Sequence, residues 1–155
     1  MLTACGMDIG TNSFRLLVAE VNDGRLRPLL HDLVTVRLGE GVWASGLLAS
    51  AAMLRGEAAL ARFAEKMALY TLHSVRVCAT HAVRQATNSQ DFLRRAEALI
   101  GLPIEVLSGA EEARLALLGA LSALPEEQRR EPLLLADVGG GQHRAHPPGC
   151  RRKRA

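Results

Sequence analysis

Aromatic side chains are scarce in this chain: one Trp, one Tyr and three Phe among 155 residues. So few rings leave little to stack on exposed bases, which argues against a single-strand nucleic-acid binder. The three cysteines, Cys5, Cys78 and Cys150, are odd in number and show no C-x-x-C spacing. That argues against a disulfide frame or a zinc site and fits a reducing, cytoplasmic setting. No apolar run approaches the roughly 18 residues of a membrane span. The N-terminus lacks a basic segment followed by a long apolar stretch, so no secretory leader is expected. Acid is missing from residues 142–155, which carry Arg144, Arg151, Arg152, Lys153 and Arg154. Without those five, 14 basic and 16 acidic residues remain, and the net charge of +3 becomes −2. The basic character therefore belongs to the tail, and neither nucleic acid nor membrane is an expected partner.

What the chain does have is glycine in two telling places. Leu133-Leu134-Leu135-Ala136-Asp137-Val138 runs into Gly139-Gly140-Gly141. A short apolar run reads as a buried strand. Glycines after it let the backbone turn and present bare N–H groups, which suit phosphate. The aspartate suits a hydrated Mg²⁺, which takes one or two carboxylates plus substrate oxygens. The same pattern also serves as a plain tight turn. A second copy stands near the start, Asp8-Ile9-Gly10-Thr11-Asn12-Ser13. Two Asp-x-Gly turns far apart suggest two phosphate loops facing one cleft.

Between them the chain alternates. Residues 2–9, 14–21 and 26–38 read as a meander of three strands, with Asn22-Asp23-Gly24 as a turn. Helical periodicity follows from Ser50, a plausible N-cap, to about Leu72, with Leu54, Ala58, Ala61, Phe63, Met67 and Leu69 on the expected apolar face. Residues 74–80 read as a strand. Asn88 and Ser89 open a helix to Ile100, stopped by Gly101 and Pro103. Residues 104–107 are a short strand, and Ser108 starts a helix to about Leu124. The order is β-β-β-α-β-α-β-α and a final strand, an α/β class with a mixed sheet covered by helices. Trp43, Tyr70 and the methionines are expected in or near the core.

Two segments between strands carry chemistry. Residues 80–88 follow a strand, where ligands of such sheets gather. Arg84 offers a planar fork to phosphate oxygens, or is a surface arginine in a short helix. His81 is expected to satisfy local hydrogen bonds. Ser108 and Glu111 have capping-box spacing. Glu112 has no such duty. It either favours the helix dipole or deprotonates an attacking water.

Taken together, these segments resemble the exopolyphosphatase / guanosine pentaphosphate phosphatase (Ppx/GppA) family. Asp8-Ile9-Gly10-Thr11-Asn12-Ser13-Phe14-Arg15-Leu16 is similar to its first phosphate motif, and residues 79–88 to its arginine segment. Residues 104–115 resemble its catalytic-glutamate helix, and Asp137-Val138-Gly139-Gly140-Gly141 its second phosphate motif. The resemblance implies a lobe of the actin, Hsp70 and sugar-kinase (ribonuclease H-like) fold. It implies Mg²⁺-assisted release of terminal phosphate from polyphosphate or guanosine pentaphosphate. Glu112 would activate water, and Arg84 would bind phosphate. Gly10, Thr11, Asn12, Ser13, Arg15, Gly139, Gly140 and Gly141 would cradle phosphates. Asp137 and Asp8 would stand at the metal. The full-length relative is expected to be a cytoplasmic homodimer. An ATP-binding kinase lobe and a non-catalytic phosphate-binding fragment are the alternatives, since both would also use phosphate loops.

Thr11 stands where the family usually has serine and keeps the hydroxyl. After Gly141 the family's Ser-Thr-Glu-Leu is replaced by Gln142-His143-Arg144-Ala145-His146. These five residues can be encoded by a string that reads Ser-Thr-Glu-Leu-Ile one base later, so a frameshift near codon 141 is expected. Residues 1–131 would be the first lobe, and 132–141 the opening strand and loop of an incomplete second lobe. Residues 142–155 would be a disordered tail, the last strand would lack sheet partners, and the fragment would be weakly active or inactive.

Overall fold

The computed structural model describes residues 2–125 and 127–128, together with the backbone of 136–138 and 143–145. A five-stranded sheet in the order β3-β2-β1-β4-β5 forms its centre. β1 (Leu2–Ile9) and β2 (Ser13–Asn22) pair antiparallel, Ile9 opposite Phe14, so residues 10–13 make the turn between them. β2 and β3 (Arg25–Thr35) close on Asp23 and Gly24, at φ 49° and 74°. Two left-handed residues match the twist of paired strands, which is why an Asp-Gly pair serves here. The register shifts at Val18/Ala19, and Pro28 lies opposite Ala19. A proline without an N–H is tolerated there because β3 is an edge strand.

β4 (Ser74–Ala79) runs parallel to β1, and the two-residue β5 (Glu105–Val106) runs parallel to β4. The helices are α1 (Val42–Ser45), α2 (Ser50–Met67), α3 (His81–Gln85), α4 (Ser89–Ile100) and α5 (Gly109–Ala123). A three-strand meander followed by helical crossovers to parallel strands is the expected actin/Hsp70/sugar-kinase (ribonuclease H-like) lobe. Strands β6 (Ala136–Val138) and β7 (His143–Ala145) pair antiparallel in a separate two-stranded sheet. β6 thus pairs with β7 rather than with the five-stranded sheet. Among the described residues, no helix is long and apolar enough to cross a membrane.

Alternate residues of the central strands face one core: Cys5, Met7 and Ile9, then Phe14, Leu16 and Val18, then Val77 and Ala79. α2 and α4 cover that face. The apolar stripe of α2 differs from the expected one. Ala52, Met53, Gly56, Ala59, Leu60, Phe63 and Met67 are buried, while Leu54 and Leu69 are exposed. Gly56 decides this. A Cβ there would lie 3.1 Å from Phe92 and 3.2 Å from Phe14, so glycine lets α2 come down onto two buried rings. Those rings sit 6.5 Å apart and tilted by 52°, within the range of favourable aromatic pairs.

Other boundaries shift for local reasons. Ser50 is the first helical residue rather than the cap, and Ala49 precedes it with no side-chain cap bond. α2 stops at Met67 because the chain turns there, the Tyr70 N–H donating to the Met67 carbonyl. Trp43 is 85% exposed, not in the core. It rides on α1, a single turn bounded by left-handed Gly41 and Gly46, and only Val42 of that turn points inward. Tyr70 packs partly against the core, and Met7, Met53 and Met67 are buried as expected.

Candidate active site

The parallel strands β1, β4 and β5 end side by side at Ile9, Ala79 and Val106. Ligands of open sheets collect at this carboxyl edge. Each strand is followed at once by a segment singled out in the sequence: residues 10–13, 80–88 and 108–115.

The first segment is a tight turn. A Cβ on Gly10 would lie 2.6 Å from the Ser13 carbonyl oxygen and 3.7 and 3.8 Å from the Asp8 carboxylate oxygens. Only glycine lets the backbone pass so close to that carbonyl, with the Asp8 carboxylate at ordinary contact distance above. The Thr11 carbonyl accepts from Gly39 N–H at 2.9 Å, and the Asn12 carbonyl accepts from Val36 and Arg37 N–H at 3.0 and 2.8 Å. Asn12 Nδ2 donates to Ser13 Oγ at 3.4 Å. Arg15, directly across the ladder from Asp8, pairs with it at 3.3 Å. The Arg15 side chain is 58% exposed, so the pair contributes at most about 1 kcal/mol and leaves that arginine available to an anion.

The second segment is bonded to the first. Ala82 N–H donates to Thr11 Oγ1 at 3.2 Å, at the start of α3. Two residues later, Arg84 Nη1 donates to the Leu107 carbonyl at 2.5 Å and to Glu112 Oε2 at 3.1 Å. Arg84 Nη2 approaches His81 Nδ1 at 3.4 Å, so His81 has the local partner expected of it.

The third segment separates two adjacent glutamates. Ser108 caps α5, its hydroxyl accepting from Glu111 N–H at 3.1 Å. The reciprocal half of the capping box is absent among the described contacts. The Glu111 carboxylate instead takes both arms of Arg114, at 2.8 and 2.7 Å. That hydrogen bonding holds its carboxyl below the usual range, with Arg76 adding to the effect at 3.7 Å. Glu112, the next residue round the helix, turns to Arg84. Glu111 is thus occupied structurally, and Glu112 belongs to the site.

Among the described residues the two thiols are held in the protonated form. Burial pushes Cys5 up to about 11. Cys78 is also raised, first by burial, with Arg76 opposing. Among the described residues no three His, Cys, Asp or Glu side chains stand together to hold a metal ion. Asp8 is the carboxylate over the turn. Gly139, Gly140 and Gly141 lie outside the described residues, as does the Asp137 side chain. Sequence reasoning missed the Leu107 carbonyl and the Ala82 N–H, because backbone groups carry no residue signature. It carried the third strand on to residue 38, whereas β3 ends at Thr35 and Gly39 is where the chain meets Thr11.

Comparison with known proteins agrees with this geometry. The profile of the Ppx/GppA phosphatase family matches residues 17–143. The chain belongs to that family. A Ppx/GppA relative from Haemophilus influenzae, named as a candidate exopolyphosphatase, is 35% identical over 135 residues, 87% of this chain and 41% of that protein. The solved structure of an exopolyphosphatase-like protein has a TM-score of 0.86 at 35% identity, covering 90% of this chain and 43% of that one. An exopolyphosphatase from Cytophaga hutchinsonii gives 0.82 at 31%, covering 90% and 44%. The Aquifex aeolicus Ppx/GppA protein gives 0.73 at 30%, covering 81% and 41%. The chain therefore spans about two fifths of the relatives it matches.

Proposed function

We propose that this chain is the phosphate-binding and water-activating lobe of a phosphoanhydride hydrolase of the exopolyphosphatase type. Its substrate would be polyphosphate or guanosine pentaphosphate. One observation carries the reading: three segments far apart in sequence meet through Thr11–Ala82 and Arg84–Leu107–Glu112 hydrogen bonds. The names of the Haemophilus and Cytophaga relatives support polyphosphate as the substrate class. The full-length enzyme would be a cytoplasmic homodimer.

In this reading a terminal phosphate settles on the amides of residues 10–13 and draws the Arg84 fork from Glu112. Glu112 then takes a proton from a water in line with the phosphorus. The new P–O bond forms as the anhydride bond breaks, and the shortened chain carries off the electron pair. Positioning and charge neutralisation account for most of such catalysis. Gly139, Gly140 and Gly141 would face the first loop with further amides. The turn fits Mg²⁺, because Asp8 overhangs it and Mg²⁺ needs only one or two protein carboxylates. Asp8 and Asp137 would hold the ion, which would neutralise phosphate charge.

Tripolyphosphate binding by the 155-residue chain tests this. Arg84→Ala is expected to weaken it about tenfold or more, the worth of a charge-assisted fork. Glu112→Gln is expected to keep binding and to remove the weak phosphate release expected of the parent chain. Unchanged binding in Arg84→Ala would refute the reading. Binding without release in the parent chain would favour a non-catalytic module, an alternative motivated by Gln142-His143-Arg144 standing where the family's Ser-Thr-Glu follows the glycines. Phosphotransfer from ATP would favour the kinase lobe.

A further inference from the structure

Beside the first phosphate loop lies a cleft of about 220 Å³, lined by Thr11, Asn12, Arg37, Gly39 and Glu40. Arg37 is unusual in three respects. Its φ is 54°, a left-handed conformation that costs a non-glycine residue about 1 kcal/mol or more. Its backbone is fixed on both sides: its N–H donates to the Asn12 carbonyl at 2.8 Å, and its own carbonyl accepts from Arg55 Nη2 at 3.5 Å. Arg55, from α2, also donates to the Val36 carbonyl at 2.8 Å. Finally, the Arg37 guanidinium makes no hydrogen bond or ion pair among the described residues. Of the other described arginines only Arg25, at the hairpin tip, shares that state.

The cleft's one carboxylate does not occupy Arg37 either. Glu40 pairs with Arg55 at 3.0 Å, so its charge is already balanced. The lining therefore offers a free five-donor fork, the Asn12 amide and the Thr11 hydroxyl, with no uncompensated acid. A left-handed backbone clamped in place, carrying a guanidinium with no partner among the described residues, points to a ligand.

We propose that Arg37, with Thr11 and Asn12, forms a second anion subsite that takes the phosphate next to the terminal one. This rests on the phosphatase reading above and extends it, because Thr11 and Asn12 belong to both the loop and the cleft. The ligand class is a linear chain of linked phosphates, one unit on the loop and its neighbour at Arg37. The clamped, left-handed backbone fixes where the side chain leaves the main chain, beside Thr11 and Asn12.

Calorimetric titration of the 155-residue chain with inorganic phosphate and with tripolyphosphate tests the subsite. Arg37→Gln and Arg37→Gly are expected to weaken tripolyphosphate about tenfold and to change inorganic phosphate by less than about threefold. Arg37→Gly is also expected to melt no lower than the parent, because glycine relieves the left-handed conformation. A purely structural arginine would lose stability and both ligands together, and that result overturns the proposal. Tripolyphosphate affinity within about threefold of the parent in both variants overturns the subsite alone. A parent chain that fails to bind tripolyphosphate overturns the subsite and the phosphatase reading together.

Discussion

Gly39→Ala gives a sharp test of how the first phosphate loop is held. The new Cβ would lie 2.3 Å from Thr11 Cγ2, 3.3 Å from Ala82 Cβ and 3.5 Å from Thr11 Cβ. Carbon atoms pack at about 3.5–4.0 Å, so the methyl contact falls short by more than roughly 1 Å. Thr11 has little room to yield. Swinging its methyl away moves Oγ1 off the Ala82 N–H, a bond worth about 1 kcal/mol. Moving the backbone instead breaks the Gly39 N–H bond to the Thr11 carbonyl. Overpacking of this kind costs about 1–3 kcal/mol. For a chain of this size that lowers the melting temperature by about 4 °C per kcal/mol. Thr11→Ser removes Cγ2 and keeps the hydroxyl, and the remaining contacts at 3.3 and 3.5 Å are tolerable. Gly39→Ala should therefore be nearly neutral in a Thr11→Ser background. The cycle should show a coupling of about 1–2 kcal/mol. Circular-dichroism melts of the four proteins measure it. Additive losses would refute the argument, placing the cost elsewhere than in the Thr11 methyl.

The remaining predictions concern the core and acid stability. Gly56→Leu should force a branched side chain between Phe14 and Phe92 and cost about 3 kcal/mol or more, whereas Leu54→Ser on the exposed face should stay within about 0.5 kcal/mol. The reverse ranking in melting temperature would show that α2 buries its other face. Asp32 is nearly buried and bonded to Lys66 at 2.6 Å, Arg62 at 2.8 Å and the Leu33 N–H at 2.9 Å. Burial raises its carboxyl, but the Lys66 hydrogen bond, the two cations and the Leu33 N–H outweigh this and hold it below the usual range. A lowered folded value means a contribution that is present above the unfolded value and is lost as pH falls through the folded one. Asp32→Asn should therefore destabilise the chain at neutral pH and flatten the decline below roughly pH 4. Parallel declines in the two proteins would contradict that assignment.

Local patterns settled much of this protein. Alternation in β1 and β2 marked the core face, and Asp23-Gly24 marked a hairpin whose turn needs two left-handed residues. Asn88 through Gly101 carried both limits of α4. Gly10 and the Glu111–Glu112 pair marked two of the segments that meet at the carboxyl edge of the sheet, because tight turns and spare carboxylates leave traces in residue type. Tertiary structure decided what depends on partners distant in sequence. Gly56 looks like a weak point in a helix until Phe14 and Phe92 arrive above it. Trp43 looks like core until α1 proves a single turn with one inward residue. Nothing local says that Arg84 will meet Glu112, 28 residues away, or that Glu111 will turn aside to Arg114. Nor does the sequence around Arg37 show a left-handed residue, because that conformation is imposed by Asn12 and Arg55 from two other elements. Periodicity and turn chemistry are written in neighbouring residues, whereas a site is a set of angles and distances that exists only after the strands have been laid side by side.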